Sequence, residues 1–184
     1  MKQLVSVLLF LWVLPGCSKP PPTDAAEGDL ASRRVAHPTS PSPEDSLRKE
    51  LEENYTKIVD GFKNNDPSVW EGFLAPGFQL KLFNGQIQDR QWVSNYVRNN
   101  AKTFKVVSLS MRIQSLTIEG NDAIAIVEQK SSRTFKDKEG QPHQLDVGAV
   151  QREVWTKTLD GLRLRFVEEK EVLYVKEDGK PKGP

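Results

Sequence analysis

The chain has 184 residues, of which 26 are basic and 25 acidic, giving a formal net charge of +1. This balance argues against nucleic acid as the main partner, because nucleic-acid-binding domains carry a strongly basic surface, and it offers no electrostatic attraction to anionic lipid. The single cysteine excludes an intramolecular disulfide, and the length suits one folded domain.

A short apolar segment begins the chain. Lys2 precedes the run from Leu4 to Leu14, which only Ser6 interrupts. This run is shorter than the ~20 residues that a helix needs to cross a bilayer. A positive start followed by a short apolar run is typical of an export signal, and we therefore expect residues 1–16 to be a signal peptide.

The only cysteine, Cys17, follows that segment in the sequence LPGC. This sequence resembles a bacterial lipobox, since Leu14, Gly16 and Cys17 match the pattern while Pro15 departs from it. The resemblance implies a membrane lipid attached to Cys17 in the cell envelope. Ser18 after the cysteine implies the periplasmic side of the outer membrane. Two alternatives are an ordinary cleaved signal with a chance cysteine and an uncleaved anchor.

Residues 17–42 are rich in proline, serine and alanine and poor in large apolar side chains. Such a composition cannot bury enough surface to fold, and proline stiffens the chain into an extended spacer. We predict a lipidated, disordered tether that holds the following domain away from the membrane. His37 lies in this tether and is expected to be inert.

Three helices are predicted in the first half of the domain. Ser42 caps the first, whose apolar residues recur at helical spacing as far as Phe62. Asp66 caps a short second helix that ends at Ala75-Pro76-Gly77. Asp89 caps the third. Each start combines a capping side chain with an apolar repeat, which together predict a helix N-terminus.

Strands account for the rest of the domain. A short strand begins at Phe78 and ends in a tight turn at Asn84-Gly85. Beyond Thr103 the apolar residues alternate with period two, and a change of phase near Ser115 predicts a β-bulge. The long strands are placed at 107–118, 123–135, 144–158 and 162–176. The tail, residues 178–184, is expected to be flexible.

This order of elements predicts an α+β domain over residues 43–177. Long antiparallel strands with a bulge tend to curl. We therefore expect a cone-shaped, curved antiparallel sheet packed against three N-terminal helices, with an apolar hollow inside the cone.

Two stretches resemble the nuclear-transport-factor-2-like superfamily, which includes ketosteroid isomerase and SnoaL-like polyketide cyclases. The first, IVDGFKNNDPSVWEGFLAPGFQLKLFNG, is similar to the opening of such domains, and REVWTKTLDGLRLRFVEE to their ending. EDGKP near the C-terminus is also similar to SnoaL-like sequences. The resemblance covers most of residues 47–182 and implies the cystatin-like cone fold. These are turn and core patterns, so they leave function open.

The resemblance implies, for isomerase-type members, an aspartate base on the first strand with a tyrosine and a second acid as oxyanion donors. Residues 78–85 contain no Asp or Glu. The base position falls near Leu82, and the tyrosine position falls near Ile58, three residues from Tyr55. An isomerase mechanism of that kind is therefore not expected.

Glu153 is the strongest candidate for an acid or base. It shares a strand phase with apolar residues and with Gln151, so it can point into the predicted hollow, where burial would tune its pKa. The alternatives are that Arg152 to Lys157 form an exposed stretch, or that Glu153 pairs with Arg133 or Lys170. Gln129, Ser131 and Arg133 share one face of the preceding strand, and they either line the same space or form a solvated face.

Aromatic side chains are the other candidates for ligand binding, with plain core packing as the alternative. They are Trp70, Trp92, Tyr96 and Trp155. The charged run from Glu168 to Glu171 is expected to be a solvated strand face. No metal or cofactor is predicted, because His37 and His143 lie far apart and no nucleotide-binding or hydrolase motif occurs.

Three hypotheses of function follow. The first is a lipid-anchored, non-enzymatic module that binds a small apolar ligand or a protein that meets the open sheet face. The family resemblance implies a homodimer through that face. The second is a SnoaL-like cyclase, isomerase or hydrolase with Glu153 as acid or base and Tyr96 as donor. The third is a purely structural envelope lipoprotein without a hollow.

The hollow should distinguish these hypotheses. We expect an enzyme to hold Glu153 inside it with a raised pKa and a polar partner within hydrogen-bonding distance. We expect a binding module to fill the hollow with its own tryptophans, or to line it without acids.

Overall fold

A computed structural model of the protein describes residues 42–182. The expected signal peptide, Cys17 and all of the tether except Ser42 lie outside the described residues. None of the described helices is long and apolar enough to cross a membrane. The elements in chain order are α1 (Pro43–Lys63), α2 (Ser68–Glu71), β1 (Leu74–Lys81), β2 (Ile87–Asp89), α3 (Arg90–Thr103), β3 (Lys105–Glu119), β4 (Asp122–Lys136), β5 (Pro142–Thr158), β6 (Gly161–Glu177) and β7 (Lys180–Pro181).

The starts of α1 and α3 are fixed by capping residues, as predicted. The Ser42 side chain accepts a hydrogen bond from the backbone N–H of Asp45 at 3.1 Å, and the Asp45 carboxylate reaches back to Ser42. The Asp89 carboxylate accepts from the backbone N–H of Trp92 at 2.8 Å. These bonds satisfy N–H groups that have no partner inside the helix.

The second helix is shorter than predicted. It ends at Glu71, and the segment Ala75-Pro76-Gly77 lies inside β1. The pairing of β1 with β6 shifts in register between Leu74 and Gln79. This irregularity accommodates Pro76, which has no backbone N–H to donate to a neighbouring strand.

The strands form one curved, unclosed sheet in the order β2-β1-β6-β5-β4-β3, with β7 paired to β6. The four long strands are antiparallel neighbours, as predicted, and β3 shifts in register between Ile113 and Ser115, which confirms the bulge. The sheet is mixed rather than wholly antiparallel, because β1 pairs with β6 in parallel. The intervening helices and strands allow this return, since parallel neighbours need a long connection.

The beginning of the predicted flexible tail is part of the sheet. Asp178 and Gly179 have positive φ angles and turn the chain back, so that Lys180 and Pro181 pair with the end of β6. The Asp178 carboxylate accepts a hydrogen bond from the backbone N–H of Gln144 at 2.8 Å. This short hairpin therefore has specific contacts with β5.

The main core lies between the concave face of the sheet and the helices. Leu51 and Ile58 of α1, Phe78 of β1 and Trp155 of β5 are almost completely buried in it. A smaller cluster around Phe104, Leu145 and Val147 lies towards the other end of the strands. The cavity described below is lined by residues of both clusters.

Candidate functional site

A cavity of about 150 Å³ lies inside the cone. Helices α1, α2 and α3 contribute one side and strands β1, β3, β4, β5 and β6 the other. A buried apolar cavity of this volume is large enough for a single aromatic ring. Its apolar lining includes Ile58, Phe62, Phe78, Leu80, Val93, Val97, Leu109 and Met111.

Polar side chains from the sheet line part of the same cavity. Alternate residues of a strand share a face, so Gln129 and Arg133 of β4 point inwards together, as do Gln151 and Glu153 of β5. The sheet register places Gln151 opposite Glu169 of β6. The expectation of a solvated face for Gln129 and Arg133 is therefore wrong, and the alternative in which they line the hollow is correct.

Glu153 is almost wholly enclosed, with 1 % of its surface exposed. Its Oε2 accepts hydrogen bonds from the Tyr55 hydroxyl and from Trp155 Nε1, both at 2.7 Å. Its Oε1 accepts from Gln151 Nε2 at 2.6 Å. These three bonds link the carboxyl group to α1 and to its own strand, and Glu153 pairs with neither Arg133 nor Lys170.

Burial raises the pKa of Glu153, and the three hydrogen bonds oppose that rise. Burial, reinforced by the neighbouring carboxyl group, also raises the pKa of Tyr55 well above its ordinary value. The raised pKa and the polar partner expected of an enzyme are thus present at Glu153, although its phenol donor is Tyr55 and not Tyr96. Because three donors already bond this carboxyl group, these features fit a structural role equally well. The expectation that a binding module would fill the hollow with tryptophans or line it without acids does not describe this cavity.

The second acid of the cavity is Glu169. Its carboxyl group accepts one hydrogen bond, from the backbone N–H of Phe83 at 3.1 Å. Burial raises the pKa of Glu169 to about 7. A carboxyl group with that pKa exchanges its proton near neutral pH, which makes Glu169 better suited than the fully bonded Glu153 to act on a ligand.

The prediction that Glu168 to Glu171 form a solvated strand face is wrong for Glu169. The pairing of β5 with β6 shifts between Val154 and Trp155, which are opposite Phe166 and Leu164. The extra residue, Arg165, moves the inward phase of β6 from Leu164 to Val167 and hence to Glu169. The inward apolar residues of β6 thus change from an even-numbered position, Leu164, to an odd-numbered one, Val167. This change in the sequence is the signal that could have identified Glu169 as facing inwards.

Arg133 has no carboxylate partner among residues 42–182. Its Nε atom is buried and makes no hydrogen bond, and the same is true of the nearby Ser131 Oγ. Burial lowers the pKa of Arg133, and Tyr96 acts on it in the opposite direction. Buried guanidinium groups are normally paired, so this arginine is the most unusual group in the cavity lining.

The four aromatic candidates have different positions. Trp70 lines the cavity and packs edge-on against Phe78. Trp155 is fully buried behind Glu153. Trp92 and Tyr96 stack on each other along α3, with ring centroids 5.2 Å apart, and neither belongs to the cavity lining. The structure therefore brings Trp70 together with the polar candidates and assigns Trp155 to the core.

His143 belongs to a different cluster. Its ring nitrogens lie 2.7 Å from Asp178 and 3.2 Å from Asp137, and those carboxylates raise the pKa of His143. His143, Glu177 and Asp178 also bring three potential metal-ligand atoms within 4.8 Å of one another. Lys182 forms an ion pair with Glu177. Hydrogen bonds and ion pairs within the cluster account for this arrangement.

Comparison with known proteins establishes the fold. No protein-family model and no curated protein matches the sequence. A conserved protein from Planctomyces limnophilus has a similar structure with a TM-score of 0.59 and 9 % identity, covering 70 % of this chain and 97 % of that one. A nuclear transport factor 2-like superfamily protein from Salmonella enterica has a similar structure with a TM-score of 0.54 and 17 % identity, covering 68 % of this chain and 90 % of that one.

A nuclear transport factor 2-like protein from Cytophaga hutchinsonii is similar to the same degree, with a TM-score of 0.54 and 10 % identity over 67 % of this chain and 96 % of that one. The protein therefore has the cone-shaped α+β fold of these structures, as the sequence resemblance implied. Folds of this kind host unrelated functions, so function has to be argued from the cavity.

Proposed function

We propose that the domain is a non-enzymatic module that binds a small, mainly apolar molecule in the cavity of the cone. The observation that carries this proposal is a partly enclosed, largely apolar space onto which several polar side chains converge. Ligand-binding sites typically have this composition, whereas protein cores are close-packed and rarely keep such a void. A purely structural role would not require it.

We also propose that residues 1–16 direct export and that Cys17 carries lipid at the periplasmic face of the outer membrane. The LPGC pattern and the proline-rich composition of residues 17–42 support this location. A homodimer through the open sheet face is the protein partner that we propose, and the experiment below reports the number of subunits as well.

Native mass spectrometry of the protein purified from its own membrane tests binding directly. We expect an added mass beyond the polypeptide and its lipid, which is released when the protein is denatured. Ala101 of α3 lines the cavity, and an Ala101→Phe variant should fill the space and lose that mass. Asn99 is exposed on the same helix, so an Asn99→Phe variant is the matched control and should keep it.

Two results would contradict the proposed function. One is wild-type protein that carries no small molecule and takes up none from an extract of its own cells. The other is a retained molecule whose amount is the same in Ala101→Phe as in the wild type, which would place it outside the cavity.

A second candidate function is acid–base catalysis, favoured by the pKa of about 7 at Glu169 inside the cavity. A general base works best when its pKa lies near the working pH. The molecule recovered from the native protein should then be converted by the wild type, and Glu169→Gln should still bind it but convert it far more slowly. Unchanged ligand after incubation with the wild type would favour the binding module.

A further inference from the structure

We infer that the ligand of the cavity carries a carboxylate, which the guanidinium group of Arg133 binds at the inner face of β4. This inference rests on the proposed function and specifies the class of ligand. It predicts a small acid with an apolar body about the size of one ring.

The first argument is the state of Arg133. It lines the cavity, its Nε is buried, and no residue between 42 and 182 supplies it with a carboxylate. Several more exposed arginines of the domain do have such a partner; Arg98 pairs with Glu71 and Arg112 with Glu128. Enclosing a charge without a counter-ion is costly, and a bound anion would remove that cost. Tyr96 acts on Arg133 electrostatically, but a phenol is not a carboxylate.

The second argument is the neighbouring hydroxyl group. Ser131 is 5 % exposed and its Oγ has no hydrogen-bond partner. Ser131 and Arg133 are alternate residues of β4, so both belong to the inner face and lie about 7 Å apart along the strand. Gln129 continues the same row. An arginine fork with a hydroxyl and an amide beside it offers several donors to a carboxylate, which accepts up to about four hydrogen bonds.

The acids of the cavity do not prevent an anion from binding there. The titratable or charged side chains in its lining are Arg133, Glu153 and Glu169, with Tyr55 behind Glu153 and Tyr96 close to Arg133. Glu153 is already bonded to three donors. Glu169 is largely protonated below pH 7, because burial raises its pKa to about 7. Below that pH it acts as a further hydrogen-bond donor.

Size and polarity restrict the rest of the ligand. The cavity volume is about 150 Å³, and most of its lining outside the polar row is aliphatic or aromatic. Phosphates and sugars would leave their remaining polar groups unpaired against this wall. A monocarboxylate with a compact apolar body satisfies both parts of the cavity.

The test uses two probes of nearly equal size, benzoate and the neutral benzyl alcohol. Each is titrated at pH 6 into the full-length chain, and the backbone amide signals of Met111 and Val167 in the cavity lining are followed by NMR. We expect benzoate to bind the wild type at least about tenfold more tightly, since one charge-assisted hydrogen-bond set is worth roughly that factor or more. Arg133→Gln should abolish this preference and leave benzyl alcohol within about twofold.

Arg112→Gln is the matched control. It removes the same charge from the neighbouring strand, where the Arg112 side chain is 73 % exposed, and it should keep the wild-type preference. Ser131→Ala removes a hydroxyl that has no partner, so it should fold normally and weaken benzoate binding alone. This variant and the wild-type comparison remain decisive if Arg133→Gln does not fold.

The outcomes separate this inference from the proposed function. Equal affinity for both probes, or a benzoate affinity that Arg133→Gln leaves unchanged, would overturn the inference that the ligand carries a carboxylate. The proposal that the cavity binds apolar molecules would still stand. If neither probe shifts the backbone amide signal of Met111 or Val167, both this inference and the proposed function are overturned. Tighter binding of benzoate that depends on Arg133 supports both.

Discussion

The carboxyl group of Glu153 links two elements of the core, helix α1 and strand β5. It accepts hydrogen bonds from Tyr55 of α1 and from Gln151 and Trp155 of β5. A buried acid is tolerated only when its oxygens are bonded. We therefore interpret Glu153 mainly as a structural group that fixes the distance between α1 and the sheet, and Glu169 as the acid available to a ligand.

Tyr55→Phe should lower the free energy of unfolding by about 1–2 kcal/mol, because it leaves a buried carboxyl oxygen with one donor fewer. Urea denaturation measures this loss. Tyr174→Phe is the control, because the Tyr174 ring lies against Gly148 and its hydroxyl makes no hydrogen bond within residues 42–182. Equal losses in the two variants would show that the Tyr55–Glu153 bond contributes nothing specific.

Glu169→Gln should stabilise the protein above pH 7. The folded-state pKa of about 7 exceeds the ordinary 4.5, so the folded state holds the proton more tightly than the unfolded state. Wild-type stability therefore falls as the pH rises from about 4.5 to 7 and is level above that. The amide of glutamine cannot ionise and still accepts from Phe83 N–H, so the variant should gain about 2–3 kcal/mol at pH 8 relative to pH 5.

Chemical denaturation of both proteins at pH 5 and pH 8 measures that difference. Glu171→Gln changes an exposed residue of the same strand and controls for the loss of one negative charge. A stability difference between Glu169→Gln and wild type that is the same at both pH values would mean that Glu169 is not buried in solution as it is here.

The junction of α1 and α2 depends on a glycine. A Cβ added at Gly61 would lie 2.8 Å from Val69 Cβ and 3.0 Å from the Asp66 carbonyl oxygen. Gly61→Ala gains up to about 1 kcal/mol in helix propensity, but overpacking typically costs about 1–3 kcal/mol. We expect the packing cost to exceed the gain and the variant to lose about 1 kcal/mol, measured by urea denaturation.

Gly77→Ala separates the steric effect from the loss of a glycine as such. Nothing lies within 4 Å of a Cβ at Gly77, so its stability should change by less than about 0.5 kcal/mol. A stabilised Gly61→Ala would show that α2 moves away from α1 at no cost, and the packing of α2 at the end of the cavity would then need revision.

The hairpin that ends in β7 should be sensitive to pH through His143. The carboxylates of Asp178 and Asp137 raise its folded-state pKa above the ordinary 6.5. Its stabilising contribution is therefore complete below pH 6.5 and is lost as the pH rises through the raised value. NMR titration of the His143 ring should give a midpoint above 6.5 that falls in Asp178→Asn. An unchanged midpoint in that variant would exclude the ion pair in solution.

The sequence predicted well the helix caps and turns, which depend only on residues close together in the chain. Ser42 and Asp89 cap their helices, and Asn84-Gly85 turns the chain, because each signal depends on neighbours in sequence. The parallel pairing of β1 with β6 depends on residues some 87 positions apart, such as Lys81 and Glu168. The inward position of Glu169 depends on a bulge in that same strand, so alternation alone could not identify it.

On the scale of the whole molecule, the proposed ligand site and the proposed anchor depend on different parts of the chain. The cavity is enclosed by residues of the folded domain, whereas the anchor depends on Cys17 and the proline-rich segment after it. The anchor can therefore be removed without altering the cavity, which makes the two proposals independently testable.

Cys17→Ser should abolish the lipid adduct while leaving the domain folded. A thioether-linked diacylglycerol cannot form on serine. Fractionation of cells that export the protein, followed by intact-mass measurement, should show a lipid adduct on the wild type alone. Ser18→Ala keeps the cysteine and should remain lipidated. A wild type that stays in the membrane at its full unprocessed mass would indicate the uncleaved anchor, and a soluble wild type would indicate an ordinary cleaved signal.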